Sequence, residues 1–185
     1  LPEGAVVFDE TVDPDTKDFR TLVARLQNTE FDLFFANGQS AATIGAMMQQ
    51  MREQGLEQPA LSHDVGQDKT LIEIAGEAVD GFRAINVPAV SEETQFGRAF
   101  NARFGGAQAA LAFAGHAYDA TGVLAQAMKE VGIEGPAIRD YLYDLNSYNG
   151  VVGAFNFDAN GDVQGIPYVL WEVQDGKFVG IQDID

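Results

Sequence analysis

"DLFFANGQSAATIGAMMQQMREQGL", residues 32–56, decides the fold. It opens on the apolar run DLFFAN (32–37), short and aromatic as strands are. Asn37 and Gly38 end that run, and Ser40 places a hydroxyl where a helix N-cap belongs. Ile44, Met47, Met48 and Met51 then recur at the i, i+3, i+4, i+7 positions of one helix face. Gly55 supplies the residue that closes such a helix with a left-handed turn. Strand, tight turn and helix together make half of a βαβ unit.

The same half-unit recurs on either side. AVVFDE (5–10), PALSHD (59–64) and FRAINVP (82–88) are further β-rich runs. They are continuously apolar rather than alternating, as expected of parallel strands covered on both faces. Phe19, Leu22, Val23 and Leu26 mark a helix between the first two runs, with Asp13-Pro14 as its N-cap and first-turn proline. The expected fold class is therefore α/β, a parallel sheet flanked by helices in the Rossmann-like or flavodoxin-like manner, over residues 1–90. Residues 91–150 are expected to be helical. One helix covers Glu92 to Phe104 and breaks at Gly105-Gly106. The long AQAALAFAGHAYDATGVLAQAMKEVG helix follows, its small residues admitting a neighbouring backbone. A shorter helix then shows Ile138, Tyr141, Leu142 and Leu145 on one face. Residues 151–185 form a third segment. In it GAFNFD, PYVLWEV and FVGIQ, separated by turns at ANGD and DGK, predict a C-terminal antiparallel β meander.

Composition narrows the function. The 185 residues carry 28 acidic and 11 basic side chains, a formal charge of −17, which argues against a nucleic-acid partner because phosphates would be repelled. Without cysteine there are no disulfides and no Cys-based zinc site. No apolar run approaches the roughly 18 residues of a membrane helix, so the chain is not expected to span a membrane. LPEGAVVFDE shows neither the basic nor the apolar region of a signal peptide, which suits a mature secreted chain equally well. There is no GxGxxG and no P-loop, and no cofactor is expected. DANGDVQG begins like a calcium loop, but Val163 and Val169 stand where an EF-hand needs glycine and an acidic residue. It reads as a hairpin turn, and no metal site is expected.

Parallel sheets take ligands at the carboxyl ends of their strands. That directs attention to Asn37–Ser40, Ser62–Gly66 and Asn86–Pro88. In the first group Gly38, Gln39 and Ser40 combine a side-chain-free backbone, an amide and a hydroxyl beside a helix N-terminus. In the second, His63 and Asp64 invite an acid–base reading. Adjacent strand residues point to opposite faces, however, so the two are not expected to serve one substrate atom. Asp64 is better suited to holding a cation, and no catalytic residue is expected. His116, in the long helix, reads as a packed or surface residue, and Trp171 as a core or sheet-face aromatic.

"VVFDETVDPDTKDF", "LVARL", "FFANGQSAATIGAMMQQMREQGL", "IEIAGEAVDGF", "YDATGVLAQAMKEVG" and "GVVGAFNFDANGDVQGIPYVLWEVQDGKFV", in that order, resemble the type I periplasmic binding proteins. The similarity is to their Leu/Ile/Val-binding branch, the substrate-binding proteins of ABC importers. The resemblance implies two α/β lobes clamping a small solute in the cleft between them. This chain would correspond to the second lobe and the C-terminal crossover segments, with the first lobe's opening βα units preceding Leu1. An amino acid is the implied ligand, an ABC transporter permease the implied partner, and the periplasm, or a lipid-anchored extracellular position in a Gram-positive host, the implied location. By residue, the resemblance places the ligand's ammonium on Asp64 and a further ligand contact on Gln39 and Ser40. Branched-chain binders carry a tyrosine at that second place, which this chain lacks. Two alternatives stand beside this reading. One is an amide, urea-type or aromatic-acid binder of the same architecture. The other is a flavodoxin-like enzyme using His63 and Asp64.

Overall fold

The computed structural model describes residues 2–13, 15–105 and 108–184, with the side chains of 108–112 excepted. The chain forms two compact units. One comprises the residues up to Asn86 together with Val169–Ile184, and the other Val87–Tyr168.

The first unit is built on a sheet with strand order β1-β2-β3-β7-β8. Strands β1 (Phe34–Ala36), β2 (Ala60–Ser62) and β3 (Arg83–Asn86) run parallel, as predicted, with Phe34 opposite Ala60 and Leu61 opposite Arg83. Helix α1 (Arg20–Leu26) precedes β1, α2 (Ala41–Glu53) joins β1 to β2, and α3 (Lys69–Ala75) lies between β2 and β3. The signals of the decisive stretch hold. Ser40 is extended and its hydroxyl accepts from the Thr43 N–H at 3.4 Å. At the other end Gly55 has φ +81°, its N–H reaches Arg52 O, and Leu56 N–H reaches Met51 O. That pair of bonds is a Schellman closure, satisfying carbonyls the helix leaves over. Ile44, Met48 and Met51 are buried and pack with Phe19, Val23, Leu26, Leu71, Phe82 and Val173 against the sheet face that carries Ala36, Ala60 and Ala84. Alanines on that face let the helices approach closely.

Three expectations need correction. The run 5–10 is not a strand: it carries no sheet pairing, and Val6 and Val7 are exposed. A strand exists only when a neighbour takes its hydrogen bonds, and β1 is already the sheet's edge, with no strand beyond it among the described residues. Phe8 instead lies under the Arg25 guanidinium, and Glu10 pairs with Arg25 at 2.9 Å. Nor does α1 begin at Asp13-Pro14. Pro14 lies outside the described residues, and the helix starts at Arg20, where the Gln50 amide of α2 accepts from Phe19 N–H and donates to Lys17 O. Finally, the strands are not covered alike on both faces, since Phe35, on the face away from the helices, is 53% exposed.

The tail serves both units. Both predicted turns are present, but the predicted meander is not: GAFNFD pairs with a short strand at Val163–Gln164 rather than with PYVLWEV, which lies in a different sheet. β5 (Ala154–Phe157) and β6 (Val163–Gln164) join β4 (Tyr148–Asn149) in a small antiparallel sheet of the second unit. β7 (Tyr168–Gln174) returns to the main sheet antiparallel to β3, with Asn86 opposite Val169, and β8 (Lys177–Ile184) forms the far edge. The main sheet is thus mixed. Asp175 and Gly176, both at positive φ, make the tight turn that matches strand twist between β7 and β8. Trp171 lies on the sheet with Gly180 beneath its ring.

In the second unit α4 (Gln95–Phe104) starts at Thr94, whose hydroxyl accepts from Gly97 N–H, and closes at Gly105 with φ +75°. Helix α5 (Gln108–Val131) and α6 (Gly135–Tyr143) follow. The small residues of α5 do admit neighbours: Gly115 faces Val90 and Val152, and Gly122 faces the Tyr148 ring hydroxyl. Asp119, buried, accepts from Val151 N–H at 2.8 Å and Val152 N–H at 2.9 Å. On its other side α5 exposes Phe113, Leu124, Met128 and Val131, a second apolar stripe at helical spacing.

Candidate functional site

The carboxyl ends of β1, β2 and β3 lie side by side, because the parallel register brings Ala36 opposite Ser62 and Ser62 opposite Ala84. The loops that leave them are tied together beneath the surface. Ser62, fully buried, donates its hydroxyl to Ala36 O at 2.7 Å. Gly66 packs onto Ser62, where a Cβ would lie 2.6 Å from the serine Cβ. Asn86, also buried, donates from Nδ2 to Gln67 Oε1 at 2.7 Å, linking the third strand end to the second loop.

Above that floor sit the residues singled out from sequence. Asn37 and Gln39 are exposed, and Gly38 and Ser40 half-buried. Gly38 has a packing reason for being glycine: a Cβ there would stand 2.8 Å from Ile44 Cγ1 of α2. Ser40 spends its acceptor on the helix cap, while its proton stays available to an outside partner. β2 ends at Ser62, so His63 and Asp64 are not strand neighbours. Asp64 opens a 3-10 turn over Asp64–Gly66, and the turn swings its carboxylate back until Oδ1 is 2.6 Å from His63 Nδ1. The opposite-faces argument therefore fails here, and the two side chains form a pair. Their side chains are 28% and 46% exposed, and the aspartate is the more open of the two. Asp68 caps α3 through Thr70 N–H at 2.8 Å, placing a second carboxylate in the same loop.

The arrangement is a cluster of polar groups open to solvent. It offers a negative group, amide and hydroxyl donors and a helix N-terminus at one edge of a sheet. Among the described residues no group of three or more His, Cys, Asp or Glu side chains is placed to hold a metal ion, and no helix is long and apolar enough to cross a membrane. Gln67 was not foreseen. An amide directly after a Gly-ended turn is a weak signal, and its partner Asn86 is nineteen residues on.

Such a sheet, with polar groups on the loops at its strand ends, has the architecture of a helix-flanked α/β lobe. Comparison with known proteins agrees. Residues 2–177 match the family model described as periplasmic binding protein, and the chain belongs to that family. Leu/Ile/Val-binding protein homolog 1 of Brucella abortus is 27% identical over 177 residues, 94% of this chain and 47% of its own length. The Leu/Ile/Val-binding protein of Citrobacter freundii is 28% identical over 171 residues, 90% of this chain and 45% of its own. The crystal structure of a leucine binding protein, LivK, from Thermotoga maritima superposes with a TM-score of 0.77 at 26% identity, covering 92% of this chain and 49% of that one. The chain spans about half the length of the curated relatives it matches. By name these relatives are binding proteins, not enzymes.

Proposed function

We propose that this chain is part of a substrate-binding protein of an ABC importer, working in the periplasm or outside the cell, and that its solute is a small polar molecule bearing an ammonium group, an amino acid foremost. The observation that carries the reading is Asp64. It stands at the carboxyl end of the second parallel strand, half-exposed, within the same sheet edge as Gln39, Ser40 and the start of α2. A carboxylate there attracts a cation, and the donors beside it suit the ligand's carboxylate or other polar groups. Gly38 keeps that edge low, and His63 flanks the aspartate. The names of the relatives, a Leu/Ile/Val-binding protein and a homolog of one, support an amino acid. The permease is the partner that role requires.

Calorimetry with a panel of amino acids tests the reading. A hydrogen bond to a charged group contributes about 1.5–3 kcal/mol, so Asp64→Asn weakens an amino-acid ligand about tenfold to a hundredfold. Gln39→Ala costs less, since that contact is neutral. Equal affinity in Asp64→Asn and parent would sink the ammonium assignment and leave the 37–40 loop a plain helix cap.

A further inference from the structure

The His63–Asp64 contact fixes the place of one hydrogen. A carboxylate only accepts, so at 2.6 Å the imidazole Nδ1 carries the hydrogen and donates it to Asp64 Oδ1. The other ring nitrogen, Nε2, is enclosed and has no partner among the described residues. An enclosed donor left unpaired is rarer than an enclosed acceptor, which agrees with the hydrogen standing on Nδ1. The Asp64 carboxylate has no other hydrogen-bond partner among the described residues, and nearly half of the side chain is open to solvent. A carboxylate that open would sample several rotamers if nothing held it.

We propose that His63 is a positioning residue: its Nδ1–H locks the Asp64 carboxylate in one rotamer and leaves Oδ2 free for a primary ammonium group. This rests on the reading that Asp64 receives the ligand's ammonium. It makes His63 a determinant of selectivity for amines over uncharged analogues, acting through the aspartate. Ordering one such side chain before binding changes affinity by about three- to tenfold.

The test has two arms. Long-range proton–nitrogen NMR of the imidazoles reads the tautomer directly in the parent chain, and with only two histidines a His116→Gln variant completes the assignment. The expected result is His63 protonated on Nδ1, and a proton on Nε2 alone overturns the proposal whatever the variants do. The second arm follows L-leucine and its des-amino analogue 4-methylpentanoate by chemical-shift titration. His63→Leu is expected to lower the preference for leucine about three- to tenfold. His63→Asn, whose amide N–H falls near the Nδ1 position, restores it to within about twofold, whereas His63→Gln, which mimics Nε2, does not. If Asp64→Asn abolishes the preference while His63→Leu keeps it, the positioning role is refuted and the ammonium reading stands. If Asp64→Asn keeps the preference, the ammonium reading itself has failed.

Discussion

Asp119 is the residue whose removal the second unit should feel most. Its two carboxylate oxygens each take one backbone N–H, from Val151 and Val152, and Gly150 leaves no room on that side for any Cβ. Each bond to a charged acceptor contributes about 1.5–3 kcal/mol. The loop amides are only part-buried, so water recovers some of the loss. Asp119→Ala should therefore cost about 2–4 kcal/mol locally. Asp119→Asn is no rescue. One oxygen still accepts, but the amide NH2 then faces the second N–H, donor against donor, at a cost of about 2–3 kcal/mol. Because the chain has two units, a single denaturation curve would blur the effect, and amide hydrogen exchange reads it locally. Protection of Val151 and Val152 should fall about thirty- to a thousandfold in Asp119→Ala, with β1–β3 amides unchanged. Unaltered exchange in both variants would mean that the carboxylate does not hold this loop.

The Arg83–Glu172 pair across β3 and β7 makes a pH prediction. The Gln174 amide and then the Arg83 guanidinium hold the Glu172 carboxyl below its ordinary 4.5. A depressed carboxyl stabilises the fold above its unfolded value and loses that contribution as pH falls through the folded one. Glu172→Gln should thus cost under about 1 kcal/mol at pH 7, Arg83 being half-exposed, and the gap to the parent should close below pH 4.5; a gap that widens there would refute the assignment. Solution behaviour offers a further check: with Val6, Val7, Leu33 and Phe35 exposed in the first unit and the α5 stripe in the second, the chain should self-associate as concentration rises. Sedimentation velocity showing a strict monomer throughout would count against that.

What the sequence disclosed was local chemistry. Ser40, the methionine spacing and Gly55 act within their own helix, so the strand–turn–helix unit could be read from them, and the candidate site at the strand ends followed from parallel topology. What it hid depended on partners distant along the chain. The run 5–10 has every local mark of a strand and lacks only a neighbour. β7 looks like the next rung of a meander, yet its partner is β3, more than eighty residues earlier in the register of Asn86 with Val169. The His63–Asp64 contact needed a 3-10 turn where continued strand was expected, a choice governed by Gly66 packing on Ser62.

That register has a consequence for how the chain is assembled. Asn86 and Val169 are paired rungs of one antiparallel ladder, so from the main sheet's side the whole of Val87–Tyr168 is a guest inserted into a single hairpin. Loop-closure entropy grows only with the logarithm of loop length, and the host tolerates so large a guest for that reason. An Asn-Gly turn joining β3 to β7 would close the same ladder. The excised host would keep Gly38, Gln39, Ser40, His63 and Asp64 in place, all of them encoded before the insertion begins.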